Sequence, residues 1–219
     1  MTCRLSHLVP ASLLIATLAS TALAGPVSFG QGWKEQKFFR TADNDYAFRG
    51  ASLGIASDMG VSVAYAALGQ DMWDKRAASW NWSVAQSVPP TDLRVKGGDD
   101  RNMALYFVFM DRASAERAGP NPRLRSLLGN KNARMLVYVW GGNHSRGQVL
   151  ASPYLDTRGK TLIRRGAGTG SFSENVDLAA DYAKAFGGSP DALVGVAVSA
   201  DSDDTETAIR AELSGLVLR

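Results

Sequence analysis

Short apolar segments separated by glycine-rich turns are the feature that most constrains the fold of this chain. Trp80, Trp82 and Val84 alternate with polar residues, which is typical of a strand with one buried face. Residues 105–109 and 135–140 are apolar on both faces, as expected for strands that are covered from both sides. The pattern predicts a mainly β protein, a jelly-roll-like β-sandwich with one or two short helices.

Further segments complete this prediction. Residues 192–198 form another β-branched run, and the leucines of residues 213–218 suggest a closing strand. Apolar side chains recur at spacings of three and four from Asn175 to Phe186, which predicts a helix, and a second, shorter helix is predicted for residues 113–118. Weaker strand candidates lie at 36–40, 46–48, 61–66 and 161–165.

The first 24 residues have the pattern of a cleaved secretory signal. Arg4 supplies a basic start, residues 8–18 are an apolar stretch, and Ala22 and Ala24 form a small-residue cleavage site before Gly25. The apolar stretch is shorter than the roughly 20 residues of a membrane-spanning helix, and no second apolar run follows. We therefore expect a signal peptide at 1–24, a single domain at 25–219, no transmembrane segment, and a periplasmic or secreted protein.

Composition excludes several classes of site in the expected mature chain. The single cysteine of the whole sequence, Cys3, lies in the predicted signal. Disulfides, zinc–thiolate sites and cysteine nucleophiles are therefore excluded from the mature chain. His144 is the one histidine after the signal, which excludes a multi-histidine metal site. The 24 Lys and Arg residues nearly balance the 21 Asp and Glu residues, so we expect no nucleic-acid partner.

Two acidic loops are candidate oxygen-rich sites. Asp99 and Asp100 are candidate ligand-binding residues, and Asp201 and Asp203 are candidate ligands of a structural calcium ion. The alternative is that both segments are ordinary polar turns. Because the connections of a β-sandwich cluster at its two ends, both acidic loops could lie at the same end. Four converging carboxylates would then need a bound cation or a nearby basic side chain, for which the candidates are Arg94, Lys96 and Arg101.

An aromatic residue, a histidine and an arginine complete the set of candidate site residues. Trp140 ends a predicted strand just before two glycines, so its ring is a candidate surface for sugar stacking, with Arg94 as a further ligand-binding candidate. His144 follows on the same loop and is a candidate general base, with Tyr154 or Tyr138 as the acid. The alternatives are burial of Trp140 in the core and an ordinary loop histidine.

The connection at residues 112–134, counted together with the preceding Asp111, is basic, with six Arg and Lys residues against two acidic ones. It lies between two strong predicted strands, so we expect a long connection across the surface. Such a segment would attract an acidic polysaccharide or the anionic envelope surface, or would simply be a solvated loop.

Three blocks of sequence resemble an uncharacterised family of bacterial exported proteins, domain-of-unknown-function family three-zero-four-seven. The first runs from the Trp80-Asn81-Trp82 motif to Asp100, the second from Tyr138 to Tyr154, and the third from Asp181 to Thr205 with the terminal strand after it. Together they cover roughly residues 79–218. The resemblance implies a sandwich similar to carbohydrate-binding modules and supplies no established activity.

These observations lead to three functional hypotheses. The first is an exported, non-catalytic binding domain for a saccharide or another envelope component. The second is a polysaccharide-acting enzyme, a lyase or hydrolase that uses His144 and a tyrosine. The third is a structural envelope protein. We expect no cofactor apart from the calcium ion considered above.

Overall fold

The computed structural model describes residues 24–219. The predicted signal sequence lies outside the described residues except for Ala24. Within the described part the chain forms thirteen strands, three α-helices and one short 3₁₀ helix. The strands are β1 Gly25–Pro26, β2 Lys34–Lys37, β3 Asp45–Phe48, β4 Ser52–Asp58, β5 Val61–Ala67, β6 Ala77–Gln86, β7 Arg101–Met110, β8 Arg134–Trp140, β9 Val149–Ser152, β10 Asp156–Arg165, β11 Gly170–Asp177, β12 Ala192–Asp201 and β13 Ala208–Leu218. The helices are the 3₁₀ helix Gln70–Met72, α1 Arg112–Ala118, α2 Leu124–Gly129 and α3 Leu178–Phe186.

The strands form two sheets, which confirms the predicted β-sandwich of jelly-roll type. One sheet has the order β11-β6-β13-β4-β3, with β1 also paired to β13, and the other has the order β2-β5-β12-β7-β8-β10-β9. The strand pairs are antiparallel except for β8 and β10, which run parallel. They do so because the chain passes from β8 to β9 at the edge of the sheet and returns as β10 between the two.

Large aromatic side chains fill the space between the sheets. Trp80 and Trp82 of β6 point inward as predicted, and their rings meet edge to face at 5.4 Å. Phe107 of β7 and Tyr138 of β8 pack against Trp80 from the other sheet. The predicted burial of Phe107 is confirmed, since its side chain has no exposed surface. These rings form the main hydrophobic core.

The seven-stranded sheet also has a covered outer face, which is the face turned away from the other sheet. Alternate residues of β7 and β8, including Val139, form a second buried cluster there with Leu124 and Leu127 of α2. The basic connection at 112–134 therefore folds into α1 and α2 and covers part of this face, rather than forming only a loop. Asp111 caps α1 by accepting a hydrogen bond from the Ser114 amide.

The third helix begins later than the sequence predicts. Residues 175–177 belong to β11 and pair with β6, so the helix starts at Leu178, after Asp177 accepts a hydrogen bond from the Ala180 amide. Strand pairing satisfies the backbone of 175–177 and takes precedence over their helical periodicity. Tyr182 and Phe186 of α3 pack against the core between the sheets.

Candidate binding cleft

A cleft of about 420 Å³ lies on the part of the outer face that the helices leave open. Its floor consists of outward side chains from the central strands of the seven-stranded sheet: Val63, Val108, Met135, Val137, Thr161 and Ala197. Leu124 and Leu128 of α2 form one side, and Tyr154 and Leu155 from the β9–β10 turn form another. The floor and the side formed by α2 are thus mainly aliphatic.

One end of the cleft is polar and is organised around Arg101. This residue begins β7 and lies opposite Asp201, the last residue of β12, in the antiparallel register. The Arg101 Nη1 atom donates to Oδ2 of Asp201 and to Oδ2 of Asp99, both at 3.0 Å. The Nη2 atom donates to the Tyr106 hydroxyl at 3.2 Å. Arg101 therefore supplies the positive charge that the acidic loops were expected to need.

Tyr154 links the polar end to the rim. Its hydroxyl donates to Asp99 Oδ1 at 2.9 Å and accepts a hydrogen bond from the Gly97 amide at 3.2 Å. The ring is half exposed, and the Lys96 ammonium lies 5.2 Å from its centre. Partial burial, and then the neighbouring Asp99, raise the pKa of Tyr154 to about 12, so the hydroxyl keeps its proton near neutral pH and acts as a donor.

Asp201 has an unusual environment for a carboxylate. Burial raises its pKa to about 8, while the attraction of Arg101 opposes this shift and the neighbouring carboxyls of Asp203 and Asp100 add to it. The residue is 7 % exposed, and its Oδ1 atom has no hydrogen-bond partner. With this pKa the carboxyl mostly keeps its proton near neutral pH.

The two acidic loops meet at this end of the cleft. Asp100 is fully buried; its Oδ2 atom accepts hydrogen bonds from the amide and the hydroxyl of Thr205 at 2.8 and 2.5 Å. One carboxylate oxygen each from Asp100, Asp203 and Asp204 lie within 4.8 Å of one another. Asp203 and Asp204 also line the cleft. The sequence did not single out Asp204, although it stands in the same acidic run.

His144 and Arg94 both contact Asp92, and none of these three residues is in the lining of the cleft. His144 Nε2 accepts the Leu93 amide at 3.2 Å and lies 3.1 Å from Asp92 Oδ1. Arg94 donates to both carboxylate oxygens of Asp92, at 2.9 and 2.7 Å. The hydrogen bond from the Leu93 amide ties His144 to the loop at residues 92–94.

The expectation that Trp140 stacks on a ligand is wrong for this structure. Its side chain is 1 % exposed and lies in the core between the sheets, against Trp82 at 5.6 Å and Phe172 at 5.1 Å. The reason is strand alternation, because Trp140 shares its inward face with Leu136 and Tyr138 of β8. The aromatic side chains that line the cleft are instead those of Phe38, Tyr106 and Tyr154.

Comparison with known proteins gives a family. Residues 31–217 match the family described as protein of unknown function (DUF3047). The chain belongs to this family. This match confirms the resemblance drawn from residues 79–218. It also covers residues 31–78, which precede the three blocks that carry the resemblance. No protein of curated function matches the sequence significantly. Within residues 24–219, none of the helices has the length and apolar character needed to cross a bilayer.

Several solved structures are similar to this DUF3047 member at low identity. The xyloglucanase domain of NopAA, a type three effector from Sinorhizobium fredii solved with cellobiose, is 12% identical, with 89% of this chain and 96% of that chain covered and a TM-score of 0.46. The family 11 xylanase from Neocallimastix patriciarum is 11% identical, with 90% and 100% covered and a TM-score of 0.43. A family 29 carbohydrate-binding module from Piromyces equi is 9% identical, with 90% and 89% covered and a TM-score of 0.33. These TM-scores are too low to carry an argument, so only the geometry of the cleft bears on function.

Proposed function

We propose that this chain is an exported, non-catalytic binding protein that holds a saccharide-bearing component of the cell envelope in the outer cleft. The observation that carries the proposal is the division of one cleft into an aliphatic floor and a carboxylate-rich end. Pockets of this size, mainly apolar with a few convergent polar groups, are typical of small-molecule sites.

The polar end suits a ligand that is rich in hydroxyl groups. Ionised carboxylates are acceptors only, so Asp203 and Asp204 at the rim would accept hydrogen bonds from neighbouring sugar hydroxyls. The half-exposed ring of Tyr154 offers an apolar face beside them. The negative charge of this end disfavours an acidic sugar, so we expect a neutral or cationic one.

The floor suits an apolar group attached to that sugar. The side chains of Val63, Val108 and Val137 present hydrocarbon to the cleft, and Leu128 and Leu155 lie at its sides. Free saccharides have little apolar surface to bury against such a floor. A glycolipid or another glycoside with an alkyl or acyl chain would place hydroxyls at the polar end and hydrocarbon over the valines. This is why we infer an envelope component rather than a soluble polysaccharide.

The binding mode can be tested with short alkyl glycosides used below their micelle concentration. The affinity is expected to rise by about fourfold for each added methylene, which corresponds to about 0.8 kcal/mol, while the free sugar binds far more weakly. Tyr154→Ala should weaken binding, whereas Phe39→Ala, which removes an aromatic ring that is 86 % exposed and outside the cleft lining, should not. If the protein bound neither the alkyl glycosides nor any sugar on a glycan array, this result would contradict the proposal and favour a structural role.

One observation favours an enzyme as the second candidate function. The pKa of about 8 gives Asp201 a proton to donate near neutral pH, which is the property of a general acid. In that case the acid would be Asp201 rather than His144 and a tyrosine. If the protein released new sugar ends from a polysaccharide and Asp201→Asn abolished this release, catalysis would be established and the binding proposal would be replaced.

Export rests on the N-terminal sequence and is part of the proposal. The basic start, the apolar stretch and the small-residue site before Gly25 are the features that a secretory signal requires. A periplasmic or secreted location would give the cleft access to envelope components. Fractionation of the producing cells tests this directly, and recovery of the full-length chain in the cytoplasm would contradict it.

A further inference from the structure

Helix α2 lies between the cleft and a second recess, which we call the helical groove. The groove has a volume of about 440 Å³ and is open to solvent. Its lining includes Ser114, Arg117, Ser126, Leu127, Asn130 and Asn132. The cleft is lined by other residues of α2, Leu124 and Leu128, and the two sites share no lining residue. The groove is therefore a separate place where a ligand can bind.

Hydrogen-bonding side chains line the helical groove, in contrast to the aliphatic floor of the cleft. The hydroxyl of the buried Ser114 accepts hydrogen bonds from Arg117 Nη2 at 2.9 Å and from Asn132 Nδ2 at 3.1 Å. These bonds hold two lining side chains in place before any ligand binds. Within residues 24–219, no hydrogen bond engages Nε or Nη1 of Arg117 or the Ser126 hydroxyl. The groove thus offers oriented donors and a free hydroxyl to a polar ligand.

The segment that forms the groove carries positive charge that the protein does not balance. Four of its exposed side chains are basic and make no salt bridge within residues 24–219: Arg117, Arg123, Arg125 and Lys131. Glu116 is the one acidic residue between Arg112 and Arg134. Asp111 caps α1 and is near enough for Arg117 to help lower its pKa, but the two form no salt bridge. An excess of exposed positive charge of this kind attracts anions.

The distribution of exposed apolar side chains argues against a membrane as the anionic partner. In the part of the chain that the structure describes, the large apolar side chains that are exposed all lie outside residues 112–134: Phe38, Phe39, Phe48, Met59, Val95, Tyr154 and Phe172. Helices that bind a membrane surface insert an apolar face between the lipids, and this segment has none to insert. A polysaccharide requires no such face, because its hydroxyls and charged groups bind to side chains like those of the groove.

We propose that the helical groove binds a segment of an acidic polysaccharide whose sugars carry carboxylates. Arg117 donates to a sugar carboxylate through the N–H groups that no protein acceptor uses, and Ser126 and Asn130 form hydrogen bonds with adjacent hydroxyls. Arg123 precedes Ser126 by about one helical turn and adds attraction on the same side of α2. The proposal does not rest on the ligand of the cleft, whose carboxylate-rich end disfavours acidic sugars.

The test is calorimetric titration of the mature protein with tetragalacturonate, with maltotetraose as the uncharged sugar of equal length. We expect saturable binding of tetragalacturonate that weakens as salt is added, and much weaker binding of maltotetraose. Arg117→Gln should weaken binding by about tenfold or more, because hydrogen bonds from a charged donor to the carboxylate are lost. Arg125→Gln is the matched control. It removes the same charge from a residue that does not line the groove and is turned by about 100° from Ser126 around α2, and the affinity should change by less than about threefold.

Three outcomes would overturn the proposal. The first is the absence of saturable binding of tetragalacturonate at low salt. The second is an equal loss of affinity in Arg117→Gln and Arg125→Gln, which would show diffuse attraction of anions to a basic surface. The third is tighter binding to phosphatidylglycerol vesicles that Arg117→Gln weakens, which would make a membrane the partner. Binding of alkyl glycosides in the cleft is measured separately, so failure of one proposal is distinguishable from failure of the other.

Discussion

The stability of the metal-free protein should fall as the pH rises through 8 because of Asp201. Burial raises the pKa of this group from 3.8 in the unfolded chain to about 8 in the folded one. The folded state therefore holds the proton more tightly than the unfolded state. The stabilising contribution is fully present below about pH 4 and is lost as the pH rises through the folded pKa.

The magnitude follows from the two pKa values. The whole shift corresponds to about 6 kcal/mol, and about 2.5 kcal/mol of it is lost between pH 6 and pH 9, where most other carboxyls stay ionised. The side chain is almost fully buried, so solvent screening reduces this little. Asp201→Asn should remove the dependence because an amide does not titrate, and its oxygen can still accept from Arg101.

The assay is urea unfolding of both proteins at pH 6, 7, 8 and 9, with a chelator present and the ionic strength held constant. The free energy of unfolding of the parent should decline by about 2.5 kcal/mol over this range relative to Asp201→Asn. If the two proteins gave parallel profiles within about 0.5 kcal/mol, the buried-carboxyl reasoning would be refuted.

Other changes test the fold and the charge network. Phe107→Ala should cost about 3–5 kcal/mol and Val139→Ala about 2 kcal/mol, whereas Phe39→Ala should leave thermal stability almost unchanged; equal effects would contradict the assigned core. Arg101→Met should cost about 3 kcal/mol because the buried Asp99 carboxylate loses its cation and Asp201 loses a hydrogen-bond donor; an unchanged free energy of unfolding at pH 7 would contradict the pairing. Mass spectrometry of exported protein should find Gly25 as the first residue, and a later start or an uncleaved signal would contradict the cleavage prediction.

Strands were predictable where their residue types matched their environment. The alternating tryptophans of β6 and the fully apolar β7 and β8 were recognisable because burial on one or both faces dictates the side chains. β4 was missed because it is built largely of Ser, Gly and Ala, and β11 because it is a mostly polar edge strand. Both are strands because of their pairing partners, β13 and β6, which the local sequence does not specify.

Side-chain parity would have corrected the error at Trp140. Within the apolar run of β8, alternate positions belong to opposite faces, so a residue two positions after Tyr138 shares its side of the sheet. The position at the end of the strand suggested exposure, but the neighbouring strand β6 places Trp82 against this ring. The same parity puts Tyr106 of β7 on the outer face, where it contacts Arg101, and would have identified it as a cleft residue.

The charge network at the cleft depends on a register that sequence alone does not give. Three basic residues were equal candidates to neutralise the acidic loops, and only the antiparallel pairing of β7 with β12 places Arg101 opposite Asp201, 100 residues along the chain. Arg94, which is closer to Asp99 in sequence than Asp201 is, instead pairs with Asp92 on an exposed loop. The register also explains why the compensation is incomplete. The start of β7 places one guanidinium, that of Arg101, beside the end of β12. The turns at Asp100 and at Asp203–Asp204 bring further carboxylates to the same point. The excess negative charge at this end of the cleft is thus a consequence of topology, and it makes the polar end a place for cations and hydroxyl groups rather than for anions.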